Sequence, residues 1–484
     1  MISVLDIETT FTKDGDNTPY NLKNKLVSVG VNDEYFFFHH DDYNGDIKSN
    51  HDKLQHILDE TTLMVGHNLK FDLSWLLECG FKYEGKLWDT MIAESVLLKG
   101  ERKPLSLAEC CRRRQIGIKY ATLSNAIDSG IGMDKIPLSD LEMYGRNDVT
   151  ITKDLYLQQE LDYKREGNKI LVPTLEMMCE FLITLVEIER NGVYVNPDTL
   201  GELKKILDAE YSSIKKKIEI TVQEMMGDTP YNIGSAEQLS KIIYSKEIID
   251  KKDWNITFGL GTDAEGIKRI PPRYPANTFR DLVESKTRPV QYTIGTKCNV
   301  CKGVGAYRKI KKDKTPYLNI TKCKDCSGYG VILTASSRIA GFNIPIKSQL
   351  DINANGGIVG ESKLQYIADK NPGRAREFLL DLIRYRQITK YLSTFVEGMK
   401  SHVYENNILH PKFSQTNVVT GRLSCSDPNF QNIPRGDKLP IKRVIQSRFD
   451  GGSIIEMDFA QLEFRVAAFL SQDKQSVYDI THGV

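Results

Sequence analysis

The chain has 484 residues, 40% hydrophobic and 27% charged, and its 65 Lys and Arg against 64 Asp and Glu leave a net charge of +1. This is the composition of an ordinary soluble protein, long enough for roughly three to four domains. No stretch approaches the ~18–20 uninterrupted apolar residues of a membrane span, and the N-terminus reads as a strand rather than a signal peptide. Overall charge argues neither for nor against nucleic acid, because steering depends on local patches. Nine cysteines are present; Cys79, Cys110, Cys111, Cys179 and Cys425 show no ligand spacing and read as reduced thiols of an intracellular protein.

The first unit, 1–165, is expected to be α/β, with strands near 2–8, 27–31 and 34–39 and helices near 51–59, 69–79, 105–114 and 139–163. Asp6 and Glu8 stand two apart in VLDIE, so a strand there puts both carboxylates on one face. Asp72 lies in the apolar run KFDLSWLLECG, where an unpaired charge is costly. Tyr144 and Asp148, in MYGRNDVTITKDL, are i and i+4 on a helix and share a face. Most acids of any chain are simply solvated, but these four with a tyrosine form the inventory for phosphodiester hydrolysis by two metal ions roughly 3.5–4 Å apart. An all-oxygen donor set suits Mg²⁺ or Mn²⁺; zinc would recruit His or Cys.

Connecting helices and the start of a second region are expected over 166–250. A helix over 176–193 closes at Asn-Gly, and a long amphipathic one follows over 198–226, marked by Leu203, Leu207, Tyr211, Ile214, Ile218, Val222 and Met225. Either a coiled-coil arm or the stalk of a nucleic-acid clamp fits it.

Over 251–340 the composition shifts to loops, prolines and lysines. Cys298-Asn-Val-Cys301 and Cys323-Lys-Asp-Cys326 are each followed by x-Gly-x-Gly, a pattern that predicts a four-thiolate zinc site over two unrelated thiol pairs. The glycines suit tight turns that wrap amides toward the sulfurs. Residues 286–326 hold eleven Lys or Arg against two Asp. Part of that charge balances a doubly negative Zn(Cys)₄ centre. The excess, interleaved with Tyr307 and Tyr317, suits a phosphate backbone or an acidic partner, and a solvated basic face is the plain alternative.

The remaining region, 341–484, opens with a long helix over 373–399 whose stripe includes Leu379, Leu382, Ile383, Ile388, Tyr391, Leu392 and Phe395, with Arg384, Arg386 and Lys390 opposite. The turn-rich segment HPKFSQTNVVTGRLSCSDPNFQNIPRG then offers Lys412 and Arg422 for phosphates or minor-groove acceptors, and Asn429, Gln431 and Asn432 for base-edge or sugar contacts. A plain irregular loop is the alternative. In SIIEMDFAQLEFRVAAFLS a strand is expected over 454–458 with Asp458 at its end, followed by a helix from about Gln461 that carries Glu463 in its first turn.

VVTGRLSCSDPNFQNIP together with MDFAQLEFR resembles the family A DNA polymerases, and DIE, NLKFD and YGRND, in that order, resemble their proofreading 3′–5′ exonuclease. The resemblance implies a ribonuclease H-like exonuclease domain followed by an incomplete polymerase domain: a helical thumb, with the helices near 198–226 and 373–399, and part of the palm. It further implies that Asp6, Glu8, Asp72 and Asp148 hold Mg²⁺ or Mn²⁺ with Tyr144 orienting the attacking water. Asp458 would be the first palm metal ligand, with help from the Phe459 carbonyl. Glu463 would be the gate against a ribose 2′-OH, and Arg422 a primer-terminus contact, with Gln431 and Asn432 beside the substrate.

Family members need a second palm carboxylate in a His-Asp-Glu turn, and a fingers helix with a lysine, an arginine and a tyrosine for the incoming dNTP. The sequence stops 26 residues after Asp458, without either. The expectation is therefore a chain that proofreads a DNA primer–template but polymerises only with a complementing C-terminal piece. The cysteine-rich insertion falls where T7-like phage enzymes bind a processivity factor, which implies a partner dock there and, for a phage protein, the cytoplasm of a bacterial host. Two rival readings are a freestanding 3′–5′ exonuclease and a non-enzymatic DNA-binding or assembly subunit. RNA remains open as a nuclease substrate.

Overall fold

The computed structural model describes residues 1–117, 130–310, 316–433 and 441–482. These residues divide into two compact units, Met1–Glu202 with Thr394–Val484, and Leu203–Ser393.

The first unit is built on a five-stranded sheet. Its strands are β1 (Ile2–Thr9), β2 (Leu26–Val31), β3 (Glu34–Phe37), β4 (Leu63–Gly66) and β5 (Lys86–Asp89), in the order β3-β2-β1-β4-β5. β1, β2 and β3 pair antiparallel as a meander; β4 and β5 then add parallel to β1. The two short parallel strands, LMVG and KLWD, were not expected from sequence. Four residues are too few for either period to distinguish a strand from a helical segment.

Helices cover both faces. α1 (Ile47–Glu60), α2 (Leu69–Glu78), α3 (Thr90–Leu97) and α4 (Leu107–Arg114) precede the long α5 (Leu138–Lys164) and α6 (Val172–Asn191). On one face Leu5, Ile7, Val29 and Met64 pack with Leu54 and Leu58 of α1, Leu73 and Leu76 of α2, and Leu182 and Val186 of α6. On the other, Val4 and Val65 meet Val149 and Tyr156 of α5. Alternation along β1 therefore gives Ile7 to the main core and leaves Asp6 and Glu8 half-buried on the α5 side. Gly145 lets α5 come close: a Cβ there would stand 2.5 Å from the Tyr35 hydroxyl oxygen of β3.

The same unit holds a small sheet in which Val193–Val195 lies between Ile408–Leu409 and Ile445–Gln446, and the hairpin Lys412–Ser414 with Ser424–Ser426. The helix after the last motif runs over Leu462–Ser471, close to its expected start. No strand forms over 454–458, which corrects the sequence expectation. Ile454, Ile455 and Met457 are all exposed, so the segment has the alternation of a strand without a neighbouring strand to hydrogen-bond it.

In the second unit the long helix Pro197–Met226 enters from the first and buries Leu203, Leu207, Ile214, Ile218 and Val222 along one stripe. The helix expected over 373–399 forms as a continuous helical run, α-helical over Arg374–Lys390, wider over Tyr391–Glu397 and α-helical again over Gly398–His402. Strands Gln291–Lys297 and Val331–Ile339 form an antiparallel ladder, and Ala306–Ile310 pairs with Pro316–Lys322. The cysteine quartet lies between these two ladders.

Candidate exonuclease, palm and zinc sites

Asp6 and Glu8 meet Asp148 from α5, with one carboxylate oxygen of each lying within 4.8 Å of the others. Asp148 is 2% exposed, and Tyr144 is buried one turn before it on α5. Three carboxylates this close repel one another unless a cation lies between them, and an oxygen-only set fits a hard divalent ion. Tyr35 lines the same region. Its hydroxyl meets Ser28 Oγ at 2.8 Å and donates to the Leu141 carbonyl at 3.2 Å; burial, with the charges of Glu8 and Asp6, pushes its ionisation up.

Asp72, in the first turn of α2, is 3% exposed and lies outside that three-oxygen cluster. Burial first, and then the neighbouring Asp6, hold its carboxyl well above the usual carboxylate range. A group so placed becomes a carboxylate when positive charge arrives beside it.

Sequence reasoning missed what positions α2. Asp89, at the end of β5, accepts hydrogen bonds from the amides of Asn68 and Leu69 at 3.2 and 2.9 Å, and from those of Met91 and Ile92 at 2.8 and 3.3 Å. One buried carboxylate therefore caps the starts of both α2 and α3. Asp89-Thr-Met-Ile is a legible cap for α3, but nothing local to 66–69 announces the second helix.

A second missed feature lies on the far side of α2. Lys70 Nζ reaches Glu189 Oε1 and the Phe413 carbonyl, each at 2.5 Å, and the same carboxylate oxygen accepts the Phe413 amide at 2.6 Å. This joins α2 to α6 and to the hairpin at 412–426.

The polymerase-like residues are arranged differently. Arg422 donates to Glu463 Oε1 at 2.7 Å, with both side chains strongly exposed. Lys412 pairs with Asp427 at 3.2 Å. Asn429 caps the short turn Phe430–Asn432 by accepting from the Gln431 amide at 3.0 Å; Gln431 in turn donates to the Leu423 carbonyl at 3.1 Å, and Asn432 is exposed. Asp458 is exposed and belongs to no three-ligand cluster among the described residues.

The four cysteines converge. Cys298 and Cys323 sulfurs lie 3.9 Å apart and those of Cys301 and Cys326 3.6 Å apart, all buried. A tetrahedron with Zn–S of about 2.3 Å has edges of about 3.8 Å, so the quartet fits zinc and is far too open for disulfides. The two knuckles are related by an approximate two-fold. Gly305 and Gly330 amides donate to Cys301 and Cys326 Sγ, each at 3.2 Å, while Cys298 and Cys323 amides donate to the Gly330 and Gly305 carbonyls, each at 2.9 Å. Glycine is required at the crossing: a Cβ on Gly305 would lie 2.3 Å from Gly328 O, and one on Gly330 2.3 Å from Gly303 O.

Comparison with known proteins defines the class. The 3′–5′ exonuclease profile matches residues 5–162 and the DNA polymerase family A profile matches residues 352–483. Together the two profiles support a family A DNA polymerase with an exonuclease domain. It is 23% identical to a DNA polymerase of Bacillus phage SP01 over 421 residues, covering 83% of this chain and 38% of that protein. DNA polymerase I of Borreliella burgdorferi is 23% identical over 426 residues, covering 87% of this chain and 34% of its own length. The thermostable DNA polymerase I of Thermus caldophilus is 39% identical over 100 residues, 20% of this chain and 12% of that protein. The chain thus spans well under half the length of the curated relatives it matches. A solved structure, the POL domain of Pol1 from M. smegmatis in complex with DNA primer-template and dNTP, shares the fold at a TM-score of 0.57 and 15% identity, covering 99% of this chain and 61% of that one. Among the described residues no helix is long and apolar enough to cross a membrane.

Proposed function

We propose that the chain hydrolyses 3′ ends of DNA, as the proofreading part of a DNA polymerase. The observation that carries this reading is the convergence of Asp6, Glu8 and Asp148 oxygens within 4.8 Å, with Asp72 buried beside Asp6. Mg²⁺ or Mn²⁺ bound there would activate water and stabilise the leaving oxygen. Asp6, Glu8 and Asp148 hold the cations, Asp72 completes the charge around them, and Tyr144 orients the water.

In the polymerase segment Asp458, with the Phe459 carbonyl, is the first palm ligand, Glu463 the gate that selects dNTPs, and Arg422 the contact to the primer end, with Gln431 and Asn432 alongside. Polymerisation requires a further palm piece with a second carboxylate, and the exposed apolar row Ile455, Met457 and Phe459 is what such a piece would cover. Zinc at Cys298, Cys301, Cys323 and Cys326 is structural.

The test is a 5′-labelled primer–template with Mg²⁺ and all four dNTPs, with Asp6→Ala as control. Shortening that the control abolishes supports proofreading hydrolysis; no shortening by the unaltered chain overturns it. Extension by this chain alone would overturn the requirement for a further palm piece.

A further inference from the structure

We propose that the zinc knuckles grip the phosphate backbone of DNA. Charge is distributed very unevenly along this chain. Residues 286–326, with eleven Lys or Arg and two Asp, carry +9, and because the whole chain carries +1 the remaining 443 residues carry −8. Four thiolates and a zinc ion remove only two of those positive charges. The rest of the molecule offers a polyanion no net attraction, so a local positive surface is where DNA would be held.

The cations of the knuckles are not consumed internally. Of the eleven, only Lys286 and Arg288, ahead of the first knuckle, have ion-pair partners among the described residues, Asp253 and Glu247; elsewhere in the second unit Lys241 pairs with Glu247, Lys246 with Glu284, Lys251 with Glu237 and Arg384 with Glu210. By contrast Lys297, Lys302, Arg308, Lys322 and Lys324 are all exposed, and none has an ion-pair partner among the described residues.

The approximate two-fold organises them. Lys297 and Lys322 each precede the first cysteine of a knuckle, and each lays its stem over the matching glycine turn, Gly303 and Gly328. Those turns carry no side chain to hold a strand off. At the knuckle tips Val304 and Tyr329 occupy equivalent positions, 75% and 56% exposed. A surface of paired lysines around bare glycine turns matches repeated phosphates better than it matches scattered carboxylates of a protein.

The inference rests on the chain acting on DNA, and the experiment keeps the two separable. The full-length chain and its Lys297→Ala/Lys302→Ala/Lys322→Ala/Lys324→Ala variant are titrated into a fluorescein-labelled primer–template duplex without Mg²⁺, at several salt concentrations. Zinc content is measured in both. Loss of phosphate contacts should lower the log–log salt slope by about 0.9 per contact, up to between three and four units, and weaken binding at least roughly tenfold at low salt. The matching four Lys→Arg substitutions should retain affinity and slope, which separates lost charge from a disturbed fold. Hydrolysis of a short single-stranded oligonucleotide should be unchanged, since the nuclease carboxylates lie on other elements. An unchanged slope and affinity in a zinc-replete Ala variant overturns the proposal and leaves an acidic polypeptide as the ligand of this face. Failure of the nuclease assay in the unaltered chain would instead count against the function proposed above.

Discussion

The exonuclease pocket and the polymerase segment at 453–482 carry similar chemistry in opposite physical states. In the first, Asp72 and Asp148 are almost fully buried and Asp6 and Glu8 half-buried, held by a sheet and by two helices that each pack into a core of their own on it. In the second, Asp458 is exposed on a segment without strand pairing, and Met457 and Phe459 beside it are 89% and 77% exposed. Carboxylates become a metal site only when the fold has already met the cost of bringing like charges together. The first region has that scaffold within this chain. The second presents its carboxylate and its apolar surface to solvent.

The sharpest way to break the comparison is to remove one carboxylate from each region. Asp148→Ala should lower the rate of 3′-end hydrolysis by about a thousandfold or more, since two-metal stabilisation supplies several kcal/mol of the barrier reduction. Asp458→Ala should leave that rate unchanged. Equal losses in a gel assay of single-stranded oligonucleotide shortening would mean that the two regions form one site.

The contact at Lys70 gives the next largest effect. Glu189→Gln keeps an oxygen for the Phe413 amide but deprives Lys70, whose side chain is 20% exposed, of its counter-charge. A loss of about 2–3 kcal/mol in urea denaturation is expected, reduced from the full cost of an orphaned buried charge by that exposure. Lys70→Met with Glu189→Gln should recover part of it. Additive losses in the double variant would show that the two groups do not interact.

These cases also show what sequence could reveal. Asp6 with Glu8, and Tyr144 with Asp148, were legible because strand and helix periods fix which side chains share a face. The zinc quartet was legible because both knuckles repeat one local pattern. The Asp89 clamp and the Lys70–Glu189–Phe413 contact join residues 20 to 343 positions apart, and no local pattern encodes them. The strand expected at 454–458 failed for the complementary reason: alternation proposes a strand, but only a neighbouring strand makes one.

Asp89 tests the scaffold through pH. Its carboxyl, 1% exposed, is pushed up to about 6 by burial, although four amides oppose the shift. In the unfolded chain it titrates near its ordinary value of 3.8. Between those values the folded state holds a proton that the unfolded state has lost. Stability should therefore fall as pH rises from about 4 to 6, by up to about 3 kcal/mol, and stay lower above that window. Asp89→Asn should flatten this part of the profile, and Asp89→Ala should cost about 2 kcal/mol near pH 5 through two lost helix caps. An Asn variant with the same slope would assign the pH dependence to other groups.

The smallest effect on stability is expected in the exposed polymerase segment, and it is the most discriminating. Met457→Lys and Phe459→Lys should change the unfolding free energy by less than about 0.5 kcal/mol, because neither side chain is packed. The same chemistry at Ile7, 5% exposed in the main core, should unfold the first unit. The two surface variants should also reduce concentration-dependent self-association in sedimentation, since a row of exposed apolar side chains on a segment outside any sheet favours sticking between copies. If either surface variant instead costs as much as an ordinary core substitution, the segment is packed in solution. Asp458 would then stand in a scaffold of its own, and the contrast with the exonuclease pocket would disappear.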